Sequence, residues 1–224
     1  MTQLIAIRPE PGLSATLMAG RALGLDITGT ALFEVRPRDW QAPDPGTIDA
    51  LLIGSANALR HGGENLEQFI RKPVHVVGKT TESAALAAGF KVESVGSGGL
   101  QSVLDAVAPP ARLLRIAGAE HVPLVPPDGV TITTVIAYES VALPLDPAVL
   151  DASDERTIVL LHSAAAAEHF ASECNRHGLD RERFEIAVLG PRIAAAAGTD
   201  WGAIHVALRP NDADLLALVR SLCQ

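Results

Sequence analysis

Apolar positions along this chain come in short runs that alternate with stretches of helical spacing. Leu4 to Ile7 is an apolar run ending at Arg8-Pro9. Leu13 to Leu23 follows with helical periodicity and Gly24 as its C-cap, and Ile27 to Thr30 restarts extended structure. Ala50 to Ile53 reads as a strand, Ala56 to Arg60 as a helix start, and Glu64 to Ile70 as a second short helix after the loop His61-Gly62-Gly63. Val74 to Val77 is a further strand ending in Gly78-Lys79-Thr80-Thr81-Glu82, with a helix over Ser83 to Ala88 that stops at Gly89. Phe90 to Val95, the loop Gly96-Ser97-Gly98-Gly99 and the helix Leu100 to Val107 lead to the break at Pro109-Pro110. Strand and helix alternate throughout, which predicts an α/β fold with doubly wound parallel sheets.

Two stretches depart from that alternation. Leu32 to Trp40 mixes apolar and charged residues and runs into the irregular QAPDPG, so it reads as an exposed strand entering a linker. After the strand Arg112 to Ala117, Val130 to Val141 is the longest β-rich run. Its β-branched density and polar alternation predict an exposed antiparallel strand, with Leu32 to Trp40 as its partner.

The second half replays the first. LLIGSANALR at 51 to 60 and IVLLHSAAAAE at 158 to 168 are both apolar runs that end at a serine and turn helical. Phe184 to Gly190 with Pro191-Arg192-Ile193-Ala194 echoes Val74 to Gly78 with Lys79-Thr80-Thr81-Glu82. Ile204 to Leu208 and Asn211 to Val219 echo Val92 to Val95 and Leu100 to Val107. The offset is roughly 108 to 112 residues at these landmarks, the signature of an internal duplication. Each serine is placed to cap the helix after it. A strand-to-helix junction of this kind also offers free backbone N–H groups and the positive end of a helix dipole to an anion. Four such junctions in repeat order, Gly54-Ser55-Ala56, Gly78-Lys79-Thr80-Thr81, His162-Ser163-Ala164 and Gly190-Pro191-Arg192, favour a ligand with several carboxylates in a cleft between two lobes. Arg8, Lys79, Arg115 and Arg192 lie at strand ends or turns, placed either to join them or to sit in solvent.

Composition narrows the classes. At 224 residues, 48% hydrophobic and 20% charged, the chain can bury two small cores. A net charge of −8 and an aromatic content of 4% argue against a nucleic-acid binder, which needs basic patches and stacking platforms. The absence of a long apolar run and of a basic, apolar leader predicts a soluble cytoplasmic protein with no membrane partner. Cys174 and Cys223 lack metal-ligand or disulfide-framework spacing, and the histidines support no metal site. Gly96 to Gly99 is not a dinucleotide fingerprint. A receiver-type signalling domain would need a phosphorylatable Asp among acidic residues at strand ends, where Gly54 and His162 stand instead.

Arg8-Pro9 after the first strand, Ser55 to Ala58, Val77-Gly78 with Thr81, the strand carrying Tyr138, His162-Ser163 and Leu189-Gly190-Pro191 resemble, in order and spacing, the uroporphyrinogen-III synthase family. The resemblance spans nearly the whole chain. It implies two flavodoxin-like α/β domains joined by a two-stranded antiparallel linker: residues 1–31 with 144–224, residues 44–129, and linker strands at 32–43 and 130–143. It further implies ring closure of the linear tetrapyrrole hydroxymethylbilane to uroporphyrinogen III, with loss of water and inversion of the last ring through a spiro intermediate, without cofactor or metal. The implied protein is a monomer, with hydroxymethylbilane synthase as a candidate partner. A non-catalytic, two-lobed anion-binding relative is the alternative.

On this resemblance the substrate contacts are Arg8, Ser55, Ala56, Asn57, Lys79, Thr80, Thr81, His162, Ser163, Ala164, Pro191, Arg192 and Ile193. Thr80 and Thr81 can also simply cap the helix that follows them. Ile193 stands where the first copy has threonine, which leaves the backbone N–H for contact there. Tyr138, the single tyrosine, sits where the family carries one on the second linker strand and is the candidate general acid for the departing hydroxyl. Many relatives carry arginines after the glycine at 118, whereas this chain has Ala119-Glu120-His121.

Overall fold

The computed structural model describes residues 2–150 and 156–224. The chain forms two compact units, Met1–Glu34 with Ala142–Gln224, and Val35–Val141.

The first unit is built from β1 (Thr2–Ile7), α1 (Gly12–Ala22) and β2 (Ile27–Thr30) at one end of the chain. The other end supplies β9 (Arg156–Leu161), α6 (Ala164–Arg176), β10 (Phe184–Val188), α7 (Pro191–Ala197), β11 (Ala203–Val206) and α8 (Asp212–Leu222). The sheet runs β11-β10-β9-β1-β2 with every pairing parallel. Because side chains alternate across a strand, near-continuous apolar runs feed two cores. Ile5, Ile7, Val159 and Leu161 pack with Phe170 and Trp201 on the α6 and α7 side. Leu4, Ala6, Ile158 and Leu160 pack with Leu215, Leu216 and Val219 on the α8 side.

The second unit contains β3 (Phe33–Pro37), which starts within the first unit, then β4 (Ala50–Ile53), α2 (Ala56–His61), α3 (Gly63–Glu67), β5 (Val74–Val77), α4 (Lys79–Ala87), β6 (Val92–Gly96), α5 (Leu100–Asp105), β7 (Ala111–Gly118) and β8 (Val130–Ala142). Its sheet runs β3-β8-β7-β4-β5-β6. Leu51 and Ile53 face the core under α2, α3 and α4, while Ala50 and Leu52 face Val103 and Leu104 of α5. In each unit the order of strands reverses beside the first strand, between β1 and β9 and between β4 and β7. Open α/β sheets bind ligands at that point, at the carboxyl ends of the strands.

Several expectations change. Val130–Ala142 is not simply an antiparallel linker strand: it lies parallel to β7 from Ala111↔Val130 to Gly118↔Tyr138. Its other edge meets β3, where Arg38 N–H donates to Ala137 O and Leu143 N–H to Leu32 O in an antiparallel register. A β-branched strand half-covered on both edges serves as a sheet member as readily as a tether. The partner strand is shorter than Leu32 to Trp40, because Trp40 leaves the sheet, donates its indole N–H to Gly62 O and packs on the second unit's core. Lys79 to Glu82 is the first turn of α4, not a loop before it. Gly78 with φ +79 makes the turn out of β5, so the helix begins four residues earlier than Ser83.

Candidate active site

At the switch point of the second unit the ends of β4 and β7 border a cavity of about 400 Å³. It is lined by Gly54 and Ser55, by Arg115 to Gly118, by Gly99 to Gln101, by Glu120 to Leu124 and by Tyr138 of β8. Ser55 is the N-cap of α2 and accepts from Asn57 N–H at 3.2 Å. Capping therefore consumes the Asn57 N–H, and the side-chain carbonyl of Asn57 accepts from Arg60. Gly99 turns from β6 into α5 at φ +105, a conformation that a side chain would strain.

Tyr138 is held by its backbone, with its carbonyl accepting from Ala119 N–H at 2.9 Å and its ring lying against Gly118. His61 is tilted beside it, ring centroids 6.4 Å apart. Among the described residues the phenol oxygen has no hydrogen-bond partner, so it is available to a ligand. Arg115, on the same cavity lining, is 6% exposed. One guanidinium nitrogen donates to Val122 O at 2.8 Å, while Nε is buried without a partner. Burial pushes the guanidinium below its ordinary pKa and the neighbouring phenol acts in the opposite sense. His121 also lines the cavity, its Nδ1 at 2.8 Å from Gly118 O. The cavity is thus apolar, with a phenol and one buried cation inside.

The matching point of the first unit is a polar cluster centred on Asp212, the first residue of α8. Arg8 Nη1 donates to its Oδ2 at 2.7 Å and Thr16 Oγ1 to the same oxygen at 2.8 Å; His162 Nε2 lies 2.8 Å from Oδ1. Burial raises the Asp212 pKa, but hydrogen bonds from His162 and Thr16 and the attraction of His162 and Arg8 outweigh it and hold the carboxyl at about 2. The second ring nitrogen of His162, Nδ1, is buried without a partner. Next to it Ser163 caps α6, accepting from Ala166 N–H at 3.1 Å, which leaves the N–H groups of Ala164 and Ala165 beyond intrahelical reach of an acceptor.

The family model described as uroporphyrinogen-III synthase HemD matches residues 15–217. The chain belongs to the uroporphyrinogen-III synthase family. As a member it is a lyase of porphyrin biosynthesis. A crystal structure of uroporphyrinogen-III synthetase from Helicobacter pylori 26695 has the same fold, with a TM-score of 0.65 at 16% identity over 98% of this chain and 99% of that one. A mutant uroporphyrinogen III synthase from the extremely thermophilic bacterium Thermus thermophilus aligns over 99% of this chain and 97% of that one at 15% identity and a TM-score of 0.49. No curated protein sequence matches the chain.

Within this member of the uroporphyrinogen-III synthase family, the residues singled out from sequence fall into three groups. Ser55 and Tyr138 share the second unit's cavity, together with Arg115. Ser163, Ala164, Pro191 and Arg192 stand at the starts of α6 and α7, Arg192 exposed. The others are engaged elsewhere. Arg8 is paired with Asp212, and His162 is hydrogen-bonded to the same carboxylate. Ile193 packs on the core and its N–H already donates to Gly190 O at 3.0 Å, which closes the contact expected of it. Thr80 and Thr81 do not cap α4, whose N-cap is Gly78. Thr81 is buried, Thr80 is exposed in a separate hollow with Leu59 and Arg60, and Lys79 pairs with Glu82 at 3.2 Å. Ala56 is buried beneath the cap. Sequence reasoning missed Asp212, whose partners Arg8 and His162 are distant in the chain; an acid in a first helical turn is too common to signal them. Among the described residues no group of three His, Cys, Asp or Glu side chains can hold a metal, and no helix is long and apolar enough to cross a membrane.

Proposed function

We propose that the chain closes hydroxymethylbilane to uroporphyrinogen III with the second unit's cavity as the chemical centre. The linear substrate loses hydroxide readily and can close on its own to the unwanted isomer. The enzyme's task is therefore to hold the terminal rings so that the substituted carbon of the last ring attacks, giving a spiro intermediate and then the inverted ring. Positioning in a near-attack geometry supplies that selectivity. Tyr138 protonates the departing hydroxyl, which leaves as water. The observation that supports this assignment is a phenol with no partner lining a mostly apolar cavity that a buried guanidinium also lines.

Within each unit helix N-termini suit carboxylate groups: α2 behind Ser55 in the second, and in the first α6 behind Ser163 with Ala164 and α7 at Pro191 and Arg192. Arg8 and His162 contribute by fixing the Asp212 cluster next to that edge. The enzyme takes its substrate from hydroxymethylbilane synthase and works as a monomer in the cytoplasm. The charge of −8 disfavours self-association, and two cysteines without framework spacing suit a reducing compartment.

Incubation with freshly generated hydroxymethylbilane, oxidation and separation of the isomers tests the reading. A type III product that rises with enzyme concentration supports it, and type I alone at every concentration refutes it.

A further inference from the structure

Arg115 is the one cationic side chain in the second unit's cavity that is more than nine-tenths buried. A charge this far from water calls for a counter-ion and for acceptors on its N–H groups. Neither requirement is met: among the described residues no carboxylate pairs with Arg115, its Nε has no acceptor, and the bond that does exist is to a peptide carbonyl, that of Val122, at 2.8 Å. Glu120 lines the cavity without pairing with it, and the other titratable groups on the lining are Tyr138 and His121.

The bonded carbonyl belongs to a stretch, residues 119–129, that contains neither helix nor strand. Val122 is 77% exposed, and Gln101 ties the stretch further on, donating to Val125 O at 2.8 Å and accepting from Val125 N–H at 2.9 Å. Val122 O can therefore let go of Arg115 without any loss of sheet pairing, while the Gln101 clamp keeps the stretch in place.

We propose that Arg115 anchors one carboxylate arm of the substrate inside this cavity, the carboxylate replacing the Val122 carbonyl and taking the unpartnered Nε as its second donor. A planar guanidinium matches a carboxylate through two parallel hydrogen bonds, and the apolar walls at Leu100, Ile116 and Leu124 suit the methylenes of a propionate-sized arm. Arg115 is thus a binding residue that orients the ring carrying that arm relative to Tyr138. The inference rests on the tetrapyrrole reading above, and it assigns a specific residue to one arm.

The test uses the full chain labelled with 15N-arginine, and uroporphyrin III as the probe. The Arg115 Nε–H resonance, assigned by its loss in Arg115→Lys, moves downfield on saturation with uroporphyrin III and stays in place with the octamethyl ester. A resonance unmoved by the free acid at saturation overturns the proposal. Kinetics supply a second readout. Arg115→Met raises KM at least tenfold, and Arg115→Lys falls between it and the parent; an unchanged KM in both overturns the anchor. Should Arg115→Met fail to fold, the lysine variant and the resonance decide. Porphyrin binding is read without turnover, so a chain that binds through Arg115 but yields only the type I isomer sinks the enzyme reading and leaves the anchor standing.

Discussion

The ring of Tyr138 occupies the space that a side chain at Gly118 would need: a Cβ there would lie 2.6 Å from Tyr138 Cε2 and 3.2 Å from its phenol oxygen. The two residues are register partners on β7 and β8, so the contact is set by the sheet. Gly118→Ala should displace the phenol while leaving both strands paired. Displacement of a catalytic group by about 1 Å costs up to about a hundredfold in rate, and removal of a general acid about the same or more. We expect kcat to fall in Gly118→Ala and in Tyr138→Phe, and the double variant to lose little beyond the worse single one. Additive losses in the isomer assay would mean that Gly118 acts through something other than Tyr138.

Asp212 makes the first unit acid-sensitive. Its carboxyl is held at about 2 in the folded chain, below the ordinary 3.8, so its stabilising contribution is fully present above the unfolded value and is lost as the pH falls through the folded one. With a third of the side chain open to solvent the contribution is about 1–2 kcal/mol. Denaturant unfolding of Asp212→Asn should show that deficit at pH 7 and a smaller one near pH 2. A deficit independent of pH would assign the loss to packing instead.

Glu173 pins the point where the chain returns to the first unit. Its Oε2 accepts from Leu145 N–H at 2.7 Å, and Arg176 donates to both oxygens. The Arg176 bonds, and then the Leu145 N–H, hold its pKa at about 2. Glu173→Gln keeps the shape but weakens charge-assisted bonds, at a cost of about 1–3 kcal/mol. Faster amide exchange at Leu145 than in the parent chain would accompany the loss, and unchanged exchange there would contradict the assignment.

The cysteines should separate cleanly. Cys174 is fully buried and burial pushes its thiol up to about 12, whereas Cys223 is exposed just after the last helix. A thiolate is the nucleophile, so iodoacetamide at pH 8 should label Cys223 alone in the native chain and both thiols in denaturant, as counted by mass spectrometry. Labelling of Cys174 at the same rate as Cys223 would indicate that the α6 core opens readily.

Most elements are legible in the sequence because their causes are local. Apolar runs such as LLIG and IVLL bury both faces of a parallel strand, and Ser55 and Ser163 cap the helices directly after them. The start of α4 is hidden because its capping residue is a glycine at positive φ without a side-chain cap, which leaves the threonines looking like caps. The direction of β8 is hidden as well. Exposure and β-branched density describe how much a strand is covered, not which neighbour covers it, and β7 is the unexpected neighbour.

The site is legible in part for the same reason. Ser55 ends an apolar run that the sequence pattern already shows, whereas Tyr138 reaches the same cavity through the pairing of β8 with β7, which that pattern does not record. Arg8, His162, Thr16 and Asp212 meet across separations of up to 204 residues, which no local pattern records.

By itself, then, the amino-acid order determined the alternation of strands and helices and the serine caps at Ser55 and Ser163, which follow from steric and hydrophobic preferences within a few residues. Only the tertiary structure decided which charges are spent and which remain. Asp212 pairs with Arg8 and is hydrogen-bonded to His162, while Arg115 is buried at the second unit's cavity with Nε unpartnered. Electrostatic pairing and desolvation depend on distances through space, and those exist only once the sheets are assembled.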